Sequence, residues 1–332
     1  MAAIGLPSTE ILIIAAADEF LSGDAADPVD PVWLAIRQEF GLSGTAVNYS
    51  HGANDFLAEL RAHQLFLEDR DRFWRLHPPL RQREGAFIAG RYHAFSLSGR
   101  RVIAFASDLR LNTDGPTMPA MRLFTQLVRE AQPRLVVYVG LGAGVLPDHQ
   151  AGDVEVTPSA RFELRGELEG SAVNDQTFGG AWQPDSSLFQ GLAFEELREP
   201  PLLAPSPHYE NVPAPQPPAH RPEVRLEKLP VVTRPLVTDT LFDIPSPDPG
   251  DRSYWGDVAC SVDMNAAAAA AACEKSVPCA IIIGLATPAI RRFENDYEGS
   301  LRRAWADVMI DSFAVPAALN AAKATRRVVE RA

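Results

Sequence analysis

The chain has 332 residues, of which 46% are hydrophobic, enough to bury one large α/β core or two smaller ones. A formal charge of −12 and an isoelectric point near 5.1 exclude a protein whose main work is gripping phosphate backbones, so nucleic acid is not an expected partner. The three cysteines, Cys260, Cys273 and Cys279, have no metal-ligand spacing and read as reduced, small buried hydrophobes of a cytosolic protein.

Near the N-terminus, Glu10 to Ala17 (EILIIAAA) predicts a buried first strand that runs into a small-residue turn with Asp18 and Glu19. The apolar part, Ile11 to Ala17, is too short to cross a bilayer and lacks a basic leader, so neither a signal peptide nor a membrane anchor is expected. Pro31 to Phe40 and Asp55 to Leu76 carry helical periodicity, and the charges of LEDRDRFWRLHPP read as a solvated helix face ending at the proline pair. From Glu84 the pattern changes to polar–apolar alternation, with Ser98-Gly99 placed as the turn of a hairpin. Thr117 to Ala131 then predicts a helix stopped by Pro133.

RLVVYVGLGAGVLPDHQAGDVEVTP reads as a buried strand, a glycine-rich turn and a second strand after Gly152-Asp153. Backbone amides of such a turn can meet an anion or a sugar, and glycines serve tight packing equally well. Gly140, Gly142 and Gly144 alternate and so do not form the dinucleotide fingerprint. Residues 166 to 230 form a long interruption whose segment EPPLLAPSPHYENVPAPQPPAHRPE is too rich in proline to persist as helix or central strand. VVTRPLVTDTLFDI resumes the core, with Thr238, Asp239, Thr240 and Phe242 where a strand gives way to a loop. Next comes SVDMNAAAAAAACEKSVPCAIIIGLATP: an acidic turn, a helix of seven alanines (Ala266 to Ala272), and an isoleucine-rich strand, Ala280 to Leu285, of the kind covered on both faces. Asp263, Asn265 and Thr287 are the polar residues at its ends, and strand carboxyl ends are where ligand crevices lie in open α/β sheets. An amphipathic helix from Glu298, Pro316 and a closing alanine-rich helix complete the chain. The seven histidines are scattered without ligand spacing and read as surface or incidental.

Four blocks in this order, ILIIAAADEF, VVYVGLGAGVLPDHQAGDVEV, VTDTLF and VDMNAAAAAAACEKSVPCAIIIGLAT, together with the hairpin, resemble the nucleoside phosphorylase-I superfamily of purine nucleoside phosphorylases, uridine phosphorylases and methylthioadenosine/S-adenosylhomocysteine nucleosidases. The resemblance implies a single α/β domain over residues 1 to 332, a three-layer α/β/α sandwich around a mixed, partly barrel-like sheet. Insertions fall at about 28 to 80 (helical) and 166 to 230 (proline-rich), outside the resemblance. It further implies a homo-oligomer, a nucleoside-like small molecule as partner, and cleavage of an N-glycosidic bond. Phosphate or water is the acceptor, and no metal or organic cofactor is needed. Such a site needs an acid near the departing base, groups that hold the ribose, and an oriented nucleophile.

Carried over residue by residue, Asp263-Met264-Asn265 stands for the family's ribose-binding Glu-Met-Glu, with an amide in place of the second carboxylate. Ala286-Thr287 stands for the Ser-Asp pair whose acid protonates the leaving base, a role threonine cannot fill near neutral pH. In the substrate-binding Gly140-Leu141-Gly142, Leu141 replaces a hydroxyl residue; Glu19 stands for the water-activating glutamate after a one-residue shift, and Phe242 for a base-stacking aromatic or else a core phenylalanine. Two classes follow. One is a divergent N-glycosidase or phosphorylase in which Glu19, Asp239 or Asp263 takes over acid or base work. The other is a catalytically impaired relative that binds a nucleoside or a partner protein.

Overall fold

The computed structural model describes residues 5–16, 30–50, 89–107, 119–146, 148–164, 170–195, 197, 220–233, 257–273, 277–288 and 300–332; for 119, 287, 288 and 300–311 only the backbone is described. The elements in chain order are β1 (Ile11–Ala16), α1 (Pro31–Glu39), β2 (Val47–Tyr49), β3 (Gly90–Leu97), β4 (Arg100–Ser107), α2 (Pro119–Ala131), β5 (Leu135–Gly144), β6 (Val154–Thr157), β7 (Ser159–Phe162), β8 (Thr177–Gly179), β9 (Val224–Leu226), β10 (Val231–Thr233), β11 (Ser261–Asp263), α3 (Ala266–Cys273), β12 (Cys279–Pro288) and α4 (Ser300–Arg331).

All twelve strands join one mixed sheet whose main path runs β2-β3-β4-β1-β5-β11-β10-β7-β8. The sheet branches at β5. Along one edge β5 pairs in parallel with β12 from Val136 to Gly144; the other edge is shared by β1, parallel to residues 135–139, and β11, antiparallel to Ala143 and Gly144. β12 carries β6 on its far side, and β6 carries β9. The sheet is thus mixed and flanked by helices, as expected; it branches and does not close into a barrel.

Helices cover both faces. Leu12, Ile14, Phe105, Tyr138, Ile281 and Ile283 pack with α2 and α3, while Ile11, Ile13, Val137, Val139, Leu141 and Ile282 pack with α1 and α4. Alternate strand side chains point to opposite faces, so continuous apolar runs such as ILIIAA are buried on both. The alanines of α3 are nearly all buried, and with only methyl groups to place between them the helix lies close to β5, β7, β8, β10 and β12. Among the described residues no helix is long and apolar enough to cross a membrane.

Several expectations hold with small shifts: the hairpin turns at Ser98 (φ 52°) and Gly99 (φ 81°), the left-handed pair that a tight two-residue turn between twisted strands requires. Three others change. GLGAG is the second half of β5 and not a turn. Residues 166–230 are not only a loop, since they supply β8, β9 and a short 3-10 turn at Ser186–Phe189. Pro316 lies inside one continuous α4. That proline removes a helical hydrogen bond, and the turn that follows presses directly on the sheet, where a side chain at Gly284 would meet the Ala317 carbonyl oxygen at 2.4 Å. The expected helix at Asp55 to Leu76, the proline-rich 198–219 and the VTDTLF block lie outside the described residues.

Candidate functional site

The site begins with the glycines of β5. Gly140, Gly142 and Gly144 share the α3 face of the strand with Tyr138, and each makes room for something specific. A side chain at Gly140 would meet the Asp263 Oδ2 and Tyr138 ring atoms at 2.9 to 3.0 Å; one at Gly142 would meet the Val262 carbonyl at 2.6 Å; one at Gly144 would meet His149 Cβ at 2.7 Å. The glycines therefore let β11 and the β5–β6 connection fold down onto the strand. Leu141, between them, points the other way into the α4-side core and is 1% exposed.

Through this contact Asp263 reaches the centre of the sheet, where it is buried. Its Oδ2 accepts the Tyr138 hydroxyl at 2.6 Å, and its Oδ1 accepts the backbone amides of Asn265 at 2.8 Å and Ala266, with the Thr233 hydroxyl at 3.3 Å. Thr233 Oγ1 in turn accepts the Ala267 amide at 2.7 Å, and the Asn265 carbonyl accepts those of Ala268 and Ala269. The opening amides of α3 are thus all satisfied from within the protein, leaving no row of donors for an outside anion. Burial pushes the Asp263 carboxyl up, against the four hydrogen bonds that favour its charged form.

The residues expected to form the site separate as follows. Asp263, Gly140 and Asn265 come together at the start of α3; Asn265 is buried and Met264 is half-buried beside it. The backbone of Thr287 also reaches this end of the sheet: Ala143 of β5 is flanked by Val262 on one edge and Thr287 on the other, past a bulge in β12. Two ladder spacings, about 10 Å, separate those flanking strands. The Leu141 side chain is not part of this group, and Gly142 serves the approach of β11. Glu19, Asp239 and Phe242 lie outside the described residues.

A second polar group, unforeseen in the sequence, sits beside the first. Glu155 on β6, Cys260 and Ser261 at the start of β11, and His149 in the β5–β6 connection are all buried, with Glu227 at their edge. The Cys260 thiol donates to Glu155 Oε1 and lies 3.0 Å from the Leu229 carbonyl, and His149 Nε2 faces Glu227 Oε1 at 3.5 Å. Burial raises the Glu155 carboxyl to about 7, and it also drives the Cys260 thiol well up, so that thiol is no nucleophile at neutral pH. The sequence did carry a signal: a glutamate in the middle of the apolar strand VEVT. His149 and Cys260, read as incidental and as a small hydrophobe, are instead members of this polar group. Among the described residues no group of three or more His, Cys, Asp and Glu is arranged to hold a metal ion.

No protein-family model matches the chain, and no curated protein matches it by sequence. Solved structures do match by shape. The 5′-methylthioadenosine/S-adenosylhomocysteine nucleosidase of Neisseria meningitidis, in complex with methylthio-immucillin-A, superposes with a TM-score of 0.53 at 14% identity, over 97% of this chain and all of the other. A mutant of the Helicobacter pylori nucleosidase with 5′-methylthioadenosine in its active site gives 0.53 at 11% identity, over 98% of this chain and all of the other. Futalosine hydrolase of Helicobacter pylori gives 0.51 at 11% identity, over 98% and 99%. The chain has the nucleoside phosphorylase/nucleosidase fold. At these identities the likeness is one of architecture, and within the nucleosidase fold this chain is a divergent version whose site residues stand on their own chemistry.

Proposed function

We propose that this chain binds a nucleoside-type small molecule at the Met264–Asn265 corner, on a nucleosidase scaffold in which the carboxylate of that corner, Asp263, is not available for cleaving the N-glycosidic bond. The observation that carries this reading is the state of Asp263: both carboxylate oxygens are occupied by hydrogen bonds that hold β5, β10 and α3 together. A general acid or base must reach the atom whose proton it moves, and a carboxylate fully engaged beneath a helix start does not. Asn265 contributes an amide in place of a charge, and Met264 offers a soft apolar surface to a sugar. The Neisseria nucleosidase above holds methylthio-immucillin-A and the Helicobacter mutant holds 5′-methylthioadenosine, which supports the ligand class.

The test is a panel of purine and pyrimidine nucleosides, including 5′-thio derivatives, incubated with the full chain with and without phosphate. The expected result is saturable thermal stabilisation by at least one nucleoside without release of free base. Base release that depends on protein concentration would overturn the non-cleaving part of this reading. A panel with no stabilisation and no release would overturn the binding part.

A further inference from the structure

Beside the α3 corner, the group around Glu155 contains three buried side-chain atoms that make no hydrogen bond: His149 Nδ1, Glu155 Oε2 and Ser261 Oγ. Each belongs to a fully or almost fully buried residue. They come from three different segments, so the coincidence has to be explained by position.

The ladder places them together. Ser261 pairs directly with Gly144 across the antiparallel β5–β11 contact, and directly opposed residues project to the same sheet face with their Cβ positions about 5 Å apart. His149 Nδ1 lies 3.1 Å from where a Gly144 side chain would begin, over that same face. The Ser261 hydroxyl is near enough to the Glu155 carboxyl to favour its charged form, yet it makes no hydrogen bond of good geometry. Oε1 of the same carboxyl is taken by Cys260, which leaves Oε2 for this space. With Nε2 turned to the Glu227 carboxylate, Nδ1 is the ring nitrogen left for it too.

An unpaired buried polar atom costs about 1–3 kcal/mol, so three in one buried group are sustained only if something pairs with them. The geometry points to a closed binding site over Gly144 for one water-sized hydrogen-bonding molecule, held jointly by His149 Nδ1, Glu155 Oε2 and Ser261 Oγ. A single water has the right valence: it can donate to two of these atoms and accept from the third, and buried waters commonly make about three such bonds. Bound there, it would connect the interior carboxyl of Glu155 through His149 to Glu227 at the surface. It would also tie β6, β11 and the β5–β6 connection at one point. Gly144 is the residue that leaves the space, because any side chain there would fall onto the imidazole.

The test is a crystal structure of the full chain at a resolution that shows ordered water, paired with water–amide nuclear Overhauser measurements in solution. One ordered water within hydrogen-bond distance of all three atoms is expected, with a long-lived water cross-peak at the Ser261 or Gly144 amide. Ser261→Val, which fills the space and removes one partner, should abolish that cross-peak. Direct hydrogen bonds among the three side chains, or the space filled by another side chain, would overturn the inference, as would absence of a long-lived water signal in the unmodified protein. Because the unmodified chain decides the question, a variant that fails to fold leaves the test intact.

Discussion

Asp263 does structural work that its place in the sequence did not announce. It is the meeting point of Tyr138 on β5, Thr233 on β10 and the first amides of α3. Asp263→Ala would orphan several buried donors together, so a loss of about 3 kcal/mol in urea unfolding is expected, against under about 1 kcal/mol for an ordinary exposed carboxylate. Glu155 has a different signature. Burial raises its carboxyl from 4.5 to about 7, against the lowering influence of Cys260, His149 and Ser261. The folded protein therefore binds a proton there more tightly than the unfolded chain, and the resulting stability is full below pH 4.5 and lost as pH climbs through 7. For His149, burial pulls the imidazole down, but the Glu227 hydrogen bond and the charges of Glu155, Glu227 and Asp148 outweigh it and leave the ring raised. Its contribution is likewise lost as pH rises past the ordinary 6.5 of histidine. Both groups act in one direction, so urea midpoints should fall between pH 5.5 and 8.5. Glu155→Gln should flatten that fall; an unchanged slope would mean Glu155 is not its source.

At the scale of elements, the close approaches are made by small residues. α4 rests on β12 at Gly284, where a methyl group would sit 2.4 Å from a backbone carbonyl that has no rotamer to change. Gly284→Ala should therefore cost about 1–3 kcal/mol through displacement of α4, whereas Gly191→Ala, with open space around it, should show only the strain of its positive φ. Differential scanning calorimetry of the two variants separates these effects. This is also where the sequence was most and least informative. Apolar runs and turn residues made β1, the β3–β4 hairpin, α1, α2, α3 and β12 legible, because burial on two faces and left-handed turn geometry leave a mark in local composition. The role of GLGAG was not legible. Glycines that bend a chain and glycines that admit a neighbouring strand look alike until the partner, here β11, is known. The same holds for Pro316, which ends a helix by local rules but is carried through because the alanines on its far side pack against the sheet.

At the scale of the whole molecule, the branch at β5 decides what sequence could show of the site. β5 exchanges β1 for β11 along one edge, and that exchange brings Asp263–Asn265, about 120 residues away in sequence, onto the glycines of β5. The order of the sequence blocks carried the architecture, since the same order of strands gives the same sheet. It could not carry the chemistry: whether Asp263 faces a ligand or a helix start depends on hydrogen-bond partners contributed by Tyr138 and Thr233, residues of no fixed spacing from it. From this division follows a prediction for the assembled fold. If α3 is anchored by Asp263 and the ligand is met by its neighbours, the two functions are separable. Asn265→Ala should reduce the thermal shift produced by whichever nucleoside stabilises the protein, by roughly tenfold in apparent affinity for one lost hydrogen bond to a polar ligand. Thr233→Val should instead lower the melting temperature of the unliganded protein, because it orphans the Ala267 amide, and leave the ligand-induced shift in place. Thermal-shift titrations of both variants check this. Equal loss of ligand response in the two would mean that the anchor and the binding corner are one unit, and that the helix start moves when ligand binds.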